Sequence, residues 1–190
     1  MSIRAFIAIA VPESVLRRCQ KISADLTKLN LEGRFAQIRS LHLTLQFLGN
    51  IEEAKLAGIG EALEDTGKEV ASFHVEICQL GVFPHLARPR VVWVGVEPVE
   101  ALKELQSKIQ QRLERLGFPK ENREFHPHLT LLRLKSRKNL AGLIQYVQGE
   151  GDCEKEGRIG VEEIHLYQSI LKPGGAEYRK LLTARLKGPA

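Results

Sequence analysis

Apolar positions change period along this chain in a fixed order. Residues 3–10 form an apolar, β-rich run that predicts a buried strand. Pro12 then stands at a first helical position, and Val15, Cys19, Ile22, Leu26 and Leu29 follow at helical spacing until Gly33 ends the helix. Residues 41–47 alternate strictly, residues 52–66 predict a helix with Leu56, Ile59 and Leu63 inward, and residues 72–80 predict another strand. The second half repeats this order. Residues 90–97 predict a strand, and Pro98 opens a helix carrying Leu102, Leu105, Ile109, Leu113 and Leu116, closed by Gly117. Residues 125–132 alternate again, Ser136 can cap a helix with Leu140, Leu143, Ile144 and Val147 on one face, and residues 158–168 and 177–187 supply late strands.

The unit His-Leu-Thr-Leu occurs at His42–Leu45 and again at His128–Leu131, 86 residues later, and Pro12 and Pro98 share that offset. A common offset for a helix start and a strand motif points to an internal repeat, roughly 3–80 and 90–168 with a closing strand at 177–187, within a single bilobal domain spanning 1–190. The expected architecture is α+β, with two pseudo-symmetric lobes facing each other and the motif strands lining the groove between them. Residues 82–90, VFPHLARPR, are the expected crossover loop.

Residues two apart on a strand share a face. His42 and Thr44 therefore lie together with Gln46 beyond them, against Leu41, Leu43, Leu45 and Phe47. Likewise His126, His128 and Thr130 oppose Leu129 and Leu131. One H-x-T is readily explained as the solvated face of a half-buried strand. Two copies at matching positions are not, because a merely solvated face has no reason to choose His and Thr in the same order twice. Two imidazoles across a cleft supply an acid and a base near neutral pH, and two hydroxyls can donate to the oxygens of a tetrahedral anion. Phosphate esters suit that equipment, and no Ser or Cys elbow motif argues for a covalent intermediate.

With 190 residues the chain is long enough to bury a core, and its 43% hydrophobic and 27% charged composition is ordinary for a globular protein. A net charge of +5 leans mildly toward a polyanionic partner such as nucleic acid. Cys19, Cys78 and Cys153 are widely separated with no CxxC pair, which argues against a disulfide framework or structural zinc and for a reducing cytosol. The N-terminal apolar run is too short to span a bilayer and has no signal-peptide cleavage pattern, so a soluble, cytoplasmic protein with no membrane association is expected.

These residues carry a resemblance. The paired H-x-T motifs in a repeated domain resemble the 2H phosphoesterase superfamily, and most closely its LigT-like RNA 2′,3′-cyclic phosphodiesterases, also called 2′-5′ RNA ligases. The likeness covers essentially the whole chain, through RAFIAIAVP, SLHLTLQFLG, RPRVVWVGV, FHPHLTLLR and IHLYQSILKPGGAEY. It implies two lobes with antiparallel sheets around a water-filled cleft, helices on the outer faces, and opening of a 2′,3′-cyclic phosphate at an RNA end to a 2′-phosphomonoester. By motif, His42 resembles the proton donor, His128 the proton acceptor, and Thr44 and Thr130 the phosphate-holding hydroxyls. No metal or other cofactor is implied. His126-Pro127-His128 alone lacks the third protein ligand that zinc usually needs, so His126 is expected to support the pocket. Arg133 also matches the family pattern, but its odd number puts it on the wrong face unless the strand ends or bulges after Leu131. Phe6 is a candidate to stack on a base, with plain core as the competing reading, and Tyr167 and Ser169 match the late strand. Arg88, Arg90, Arg123, Lys135, Arg137 and Lys138 are candidates for a phosphate-tracking rim.

The partner so implied is RNA with 2′,3′-cyclic phosphate termini, tRNA fragments and cyclic nucleotides included, met by a monomer. Two other readings stay open: 2′-5′ ligation of tRNA-half-like fragments in the same cleft, and a non-catalytic RNA-end or nucleotide-binding module.

Overall fold

The computed structural model describes residues 2–121, 123–149, 157–173 and 175–188. Cys153 and Gly174 lie outside them. The elements run β1 (Ser2–Ala10), α1 (Glu13–Lys28), β2 (Gly33–Phe35), β3 (His42–Glu52), α2 (Leu56–Glu69), β4 (Phe73–Phe83), β5 (Val91–Glu97), α3 (Glu100–Arg115), β6 (His128–Leu134), α4 (Leu140–Gly149), β7 (Arg158–Val161), β8 (Glu163–Lys172) and β9 (Gly175–Arg185). The helices form where the apolar stripe was read: Val15, Cys19, Ile22 and Leu26 are buried on α1, and Leu102, Leu105, Ile109 and Leu113 on α3. Each such Leu or Ile, once buried, stabilises the fold by about 1.5–3 kcal/mol relative to exposure.

Two antiparallel sheets result, ordered β3-β1-β8-β9 and β2-β6-β5-β4-β7. Their strands correspond: β3 matches β6, β1 matches β5, β8 matches β4 and β9 matches β7. The sheets do not follow the two halves of the sequence. β4, from the first half, pairs with β5, while β8, from the second, pairs with β1. The helices are exchanged as well, since α1 packs on β6 and β7, whereas α3 packs with α2 over the sheet that holds β3.

Four local expectations change. Residues 158–168 are two strands in different sheets, because the chain leaves β7 at Glu162 and enters β8 beside β1. VFPHLARPR is a connection within one sheet, with Phe83 opposite Val91, so it does not cross between lobes. Helix α1 stops at Lys28 and the chain turns at Asn30 (φ 51°), whereas Gly33 opens the short edge strand β2. Glycine is needed there because a Cβ would sit 2.7 Å from the Arg133 carbonyl oxygen. Finally, β3 continues to Glu52, past the positive-φ Gly49 (69°), so α2 starts four residues later than the apolar spacing suggested. No helix of the described residues is long and apolar enough to cross a membrane.

Helix α2 touches β9 at Gly67, which is buried, and a Cβ there would run into the Arg185 carbonyl oxygen. Gly67→Ala should therefore destabilise the protein by roughly 1–3 kcal/mol, lowering Tm by about 2–4 °C per kcal/mol at this size. Thermal melts would show it against Gly188→Ala, which meets nothing and should melt as the parent does.

Candidate active site

The motif strands carry the same burial pattern residue for residue. Across His42–Leu48 and His128–Leu134, half-buried His and Thr alternate with buried Leu, then two consecutive buried residues precede an exposed one. The pair of buried neighbours marks a β-bulge. Between Ile7 and Ala8 the partner on β3 jumps from Gln46 to Thr44, and between Val92 and Trp93 the partner on β6 jumps from Leu132 to Thr130. The extra residues are Leu45 and Leu131. After each bulge the parity of the strand reverses. Arg133 thereby reaches the cleft, as it could only by such an irregularity. On β3 the same reversal buries Gln46 and brings Phe47 out to 61% exposure, opposite to the faces that strict alternation assigned them.

His42, Thr44, His128 and Thr130 all line one cleft of about 730 Å³. A second cavity of about 680 Å³ adjoins it, sharing Phe6, Gln37, Ser40, Leu41, His42 and Tyr178. The two imidazoles are held identically. His42 Nδ1 lies 2.8 Å from the Ser40 carbonyl oxygen and His128 Nδ1 lies 2.7 Å from that of His126. A carbonyl only accepts, so each Nδ1 donates, and Nε2 is the nitrogen left for proton transfer in both rings.

Rings pack behind each imidazole. Phe6 lies 4.5 Å from the His42 ring, with Tyr178 edge-on to it at 4.9 Å and Tyr167 stacked on Phe6 at 5.4 Å. Phe83 meets His128 edge-on at 4.9 Å, and Trp93 is 6.0 Å away. Phe6 is only 3% exposed, so it offers no open face to a base and instead backs the His42 ring. His126 acts through its main chain. The strand begins only at His128, so alternation does not reach His126, and its side chain points to Glu124 with Nε2 3.5 Å from Oε2.

Burial lowers the pKa of both imidazoles from the ordinary 6.5 by penalising the cation, and the carbonyl hydrogen bonds pull the other way. The charge of His128 further depresses His42, so the rings sense each other across the cleft, and Arg133 and His126 further depress His128. Tyr167 is pushed up by burial.

None of Arg88, Arg90, Arg123, Lys135, Arg137 or Lys138 lines the cleft, and Lys138 is paired with Glu32. The cations that do line it are Arg4, Arg34, Arg133 and Lys172. Arg34 went unread because β2 is three residues long and has no periodicity to detect. Tyr178 and Trp93 gave no signal beyond their aromatic character. Among the described residues no three His, Cys, Asp or Glu side chains gather as a metal site would require. The Cys19 thiol is buried and pushed up to about 12, mainly by desolvation, so it stays protonated.

Comparison with known proteins agrees with this architecture. Residues 11–170 match the family model of the 2′-5′ RNA ligase superfamily. The RNA 2′,3′-cyclic phosphodiesterase of Aeropyrum pernix is 41% identical over 165 residues, covering 86% of this chain and 92% of that one. The protein of the same name from Methanothermobacter thermautotrophicus is 33% identical over 186 residues, covering 98% and 100%. The crystal structure of E. coli LigT complexed with 3′-AMP superposes with a TM-score of 0.78 at 28% identity, covering 98% and 99% of the two chains. The fold is also that of a Thermus thermophilus protein, TT0787, with a TM-score of 0.79 at 24% identity over 99% and 100%. The chain belongs to the 2′-5′ RNA ligase superfamily, alongside relatives that carry the name RNA 2′,3′-cyclic phosphodiesterase.

Proposed function

We propose that this chain, as one bilobal domain, hydrolyses 2′,3′-cyclic phosphate ends of RNA to 2′-phosphomonoesters without a metal, working as a cytosolic monomer. The observation that carries the reading is the twin mounting of His42 and His128, each anchored through Nδ1 with Nε2 left for chemistry at one shared cleft. Relatives at 41% and 33% identity bearing the phosphodiesterase name support it.

In the proposed reaction His128 Nε2 takes a proton from water, and the water oxygen attacks phosphorus. The bond from phosphorus to the 3′-oxygen breaks, and His42 Nε2–H protonates that oxygen as it leaves. Thr44 and Thr130 donate hydrogen bonds to the non-bridging oxygens as negative charge gathers there. The division of labour follows the family motif. Arg133 supports it physically, because a neighbouring cation disfavours the imidazolium of His128 and keeps that ring in the basic form. The same cleft run in reverse would join a cyclic phosphate to a hydroxyl, but water at full concentration favours hydrolysis.

Turnover of an RNA oligomer ending in a 2′,3′-cyclic phosphate, measured with EDTA present, tests the reading. The expected product is a 2′-phosphate end, and His42→Ala and His128→Ala should each lose about 10²–10⁴-fold in kcat while remaining folded. Loss of the wild-type rate on chelation, or a 3′-phosphate product, would overturn it.

The pH dependence follows from the lowered histidine values. Catalysis needs one ring neutral and the other protonated, so kcat/KM should be bell-shaped with its apex below 6.5 and its alkaline limb already falling at pH 7. A profile flat between about pH 5 and 9 would exclude a two-imidazole mechanism.

Stability should respond in the same range. His42, His128 and His165 bind protons less readily folded than unfolded, so the unfolded chain gains protons first as pH falls. The folded state is thus fully favoured above pH 6.5 and loses stability as pH drops through the folded values. Tm should be flat from about pH 8 to 7 and decline toward pH 5, and the decline should shrink in a His42→Gln, His128→Gln double variant.

A further inference from the structure

Among the described residues two large apolar side chains stand well exposed, Phe47 at 61% and Leu171 at 70%, and both line the cleft. Exposed apolar groups scattered over a surface need no explanation, but these two share one concave site with four cations. Arg4, Arg34, Arg133 and Lys172 line that cleft; no Asp or Glu does among the described residues, although Lys172 is ion-paired with Glu177 in the adjoining cavity. Arg34 on β2 is directly opposite Arg133 on β6. Like charges facing each other across a strand pair cost stability, and neither guanidinium has a carboxylate partner among the described residues. An anion between them removes that cost.

The bulges supply the second observation. Phe47 and Arg133 are equivalent positions, each the fifth residue after its motif histidine, and each is turned to the cleft by the extra leucine before it. One half of the molecule therefore presents an aromatic ring where the other presents a guanidinium. Phe47 stands one ring beyond the site, 6.1 Å from Phe6, which itself contacts the His42 ring. The imidazoles and threonines account for the reacting phosphate, and Arg133 acts there only as a neighbouring cation of His128, which leaves Phe47 and Arg34 unused.

Resting on the phosphodiesterase reading, we propose that the cleft also binds the nucleotide that precedes the cyclic-phosphate end. Its base stacks on Phe47, and the phosphodiester joining it to the terminal nucleoside lies between Arg34 and Arg133. An aromatic face accepts any base, while paired guanidiniums demand a phosphate, so the subsite selects chain length and not sequence. The preferred substrate is then an oligonucleotide end, not a free nucleoside 2′,3′-cyclic monophosphate.

The test compares kcat/KM for a short RNA oligonucleotide ending in 2′,3′-cyclic phosphate with that for adenosine 2′,3′-cyclic monophosphate. The ratio of the two should fall about tenfold in Phe47→Ala and in Arg34→Gln, and Phe47→Trp should restore it. In parallel, fluorescence anisotropy reads binding of a labelled oligonucleotide with a 2′-phosphate end. Arg34→Gln should weaken that binding and reduce the slope of log affinity against log salt by about one. A ratio unchanged in both variants, or an oligonucleotide bound with wild-type affinity by Phe47→Ala and Arg34→Gln, would overturn the subsite. A wild type that turns over neither substrate but binds the oligonucleotide through Phe47 and Arg34 would sink the hydrolase reading and leave this one standing.

Discussion

A regular strand offers alternate residues to alternate faces, and in β3 and β6 one face must fill a core while the other faces a cleft. Strict alternation would leave every later residue committed by parity. One extra leucine in each strand releases that commitment. Leu45 and Gln46, and Leu131 and Leu132, are buried in succession, and the next residue emerges on the cleft side. The cost is visible at Gln46, which is buried with Oε1 lacking a hydrogen-bond partner among the described residues. At the equivalent position Leu132 fills the core without that penalty. The bulge thus decides which side chains can meet a substrate, and the cleft's chemistry depends on it more than on any single polar contact.

The imidazoles show a second economy of means. Each is oriented by the carbonyl two residues upstream, where the chain has not yet entered the strand, so no side chain has to be recruited to select the tautomer. That leaves the flanking rings to control solvation. Phe6 and Tyr178 around His42, and Phe83 and Trp93 around His128, exclude water and lower both pKa values, while the carbonyl bonds limit the fall. Burial and hydrogen bonding oppose each other at both rings, and burial is the stronger. The rings are therefore readily neutral, which suits the base of the proposed reaction; its acid would have to gain a proton in the field of the phosphate anion.

Much of this was legible in the chain. Helix positions, the motif strands and the meeting of His42, Thr44, His128 and Thr130 followed from periodicity and a shared offset, because those signals are local or repeat at a fixed distance. What alternation could not carry was anything beyond a bulge. Gln46 and Phe47 exchanged faces, and Arg133 was readable only as conditional on an irregularity. The edge strand β2 is too short to leave a period, so Arg34 had no signal at all. Phe6 and His126 both adjoin the motif histidines, but one packs as a ring on His42 and the other meets His128 through its carbonyl, contacts that side-chain chemistry does not announce.

The division of the chain between sheets was also beyond periodicity, since a strand's pattern does not name its partner. Its consequence is mechanical. Each sheet takes strands from both halves, and α1 and α3 each cover the sheet opposite to the strand they follow. Two lobes built from contiguous halves would be joined by one linker and free to hinge about it. Here the backbone passes between the sheets after β1, before β3, between β3 and β4, and between β7 and β8. Opening the cleft would have to strain several connections at once. The proposed two-histidine reaction would need that resistance, because proton transfer on opposite sides of one phosphorus tolerates little change in the separation of the rings. The exchange of strands is thus the structural reason that two imidazoles far apart in sequence are held at one cleft.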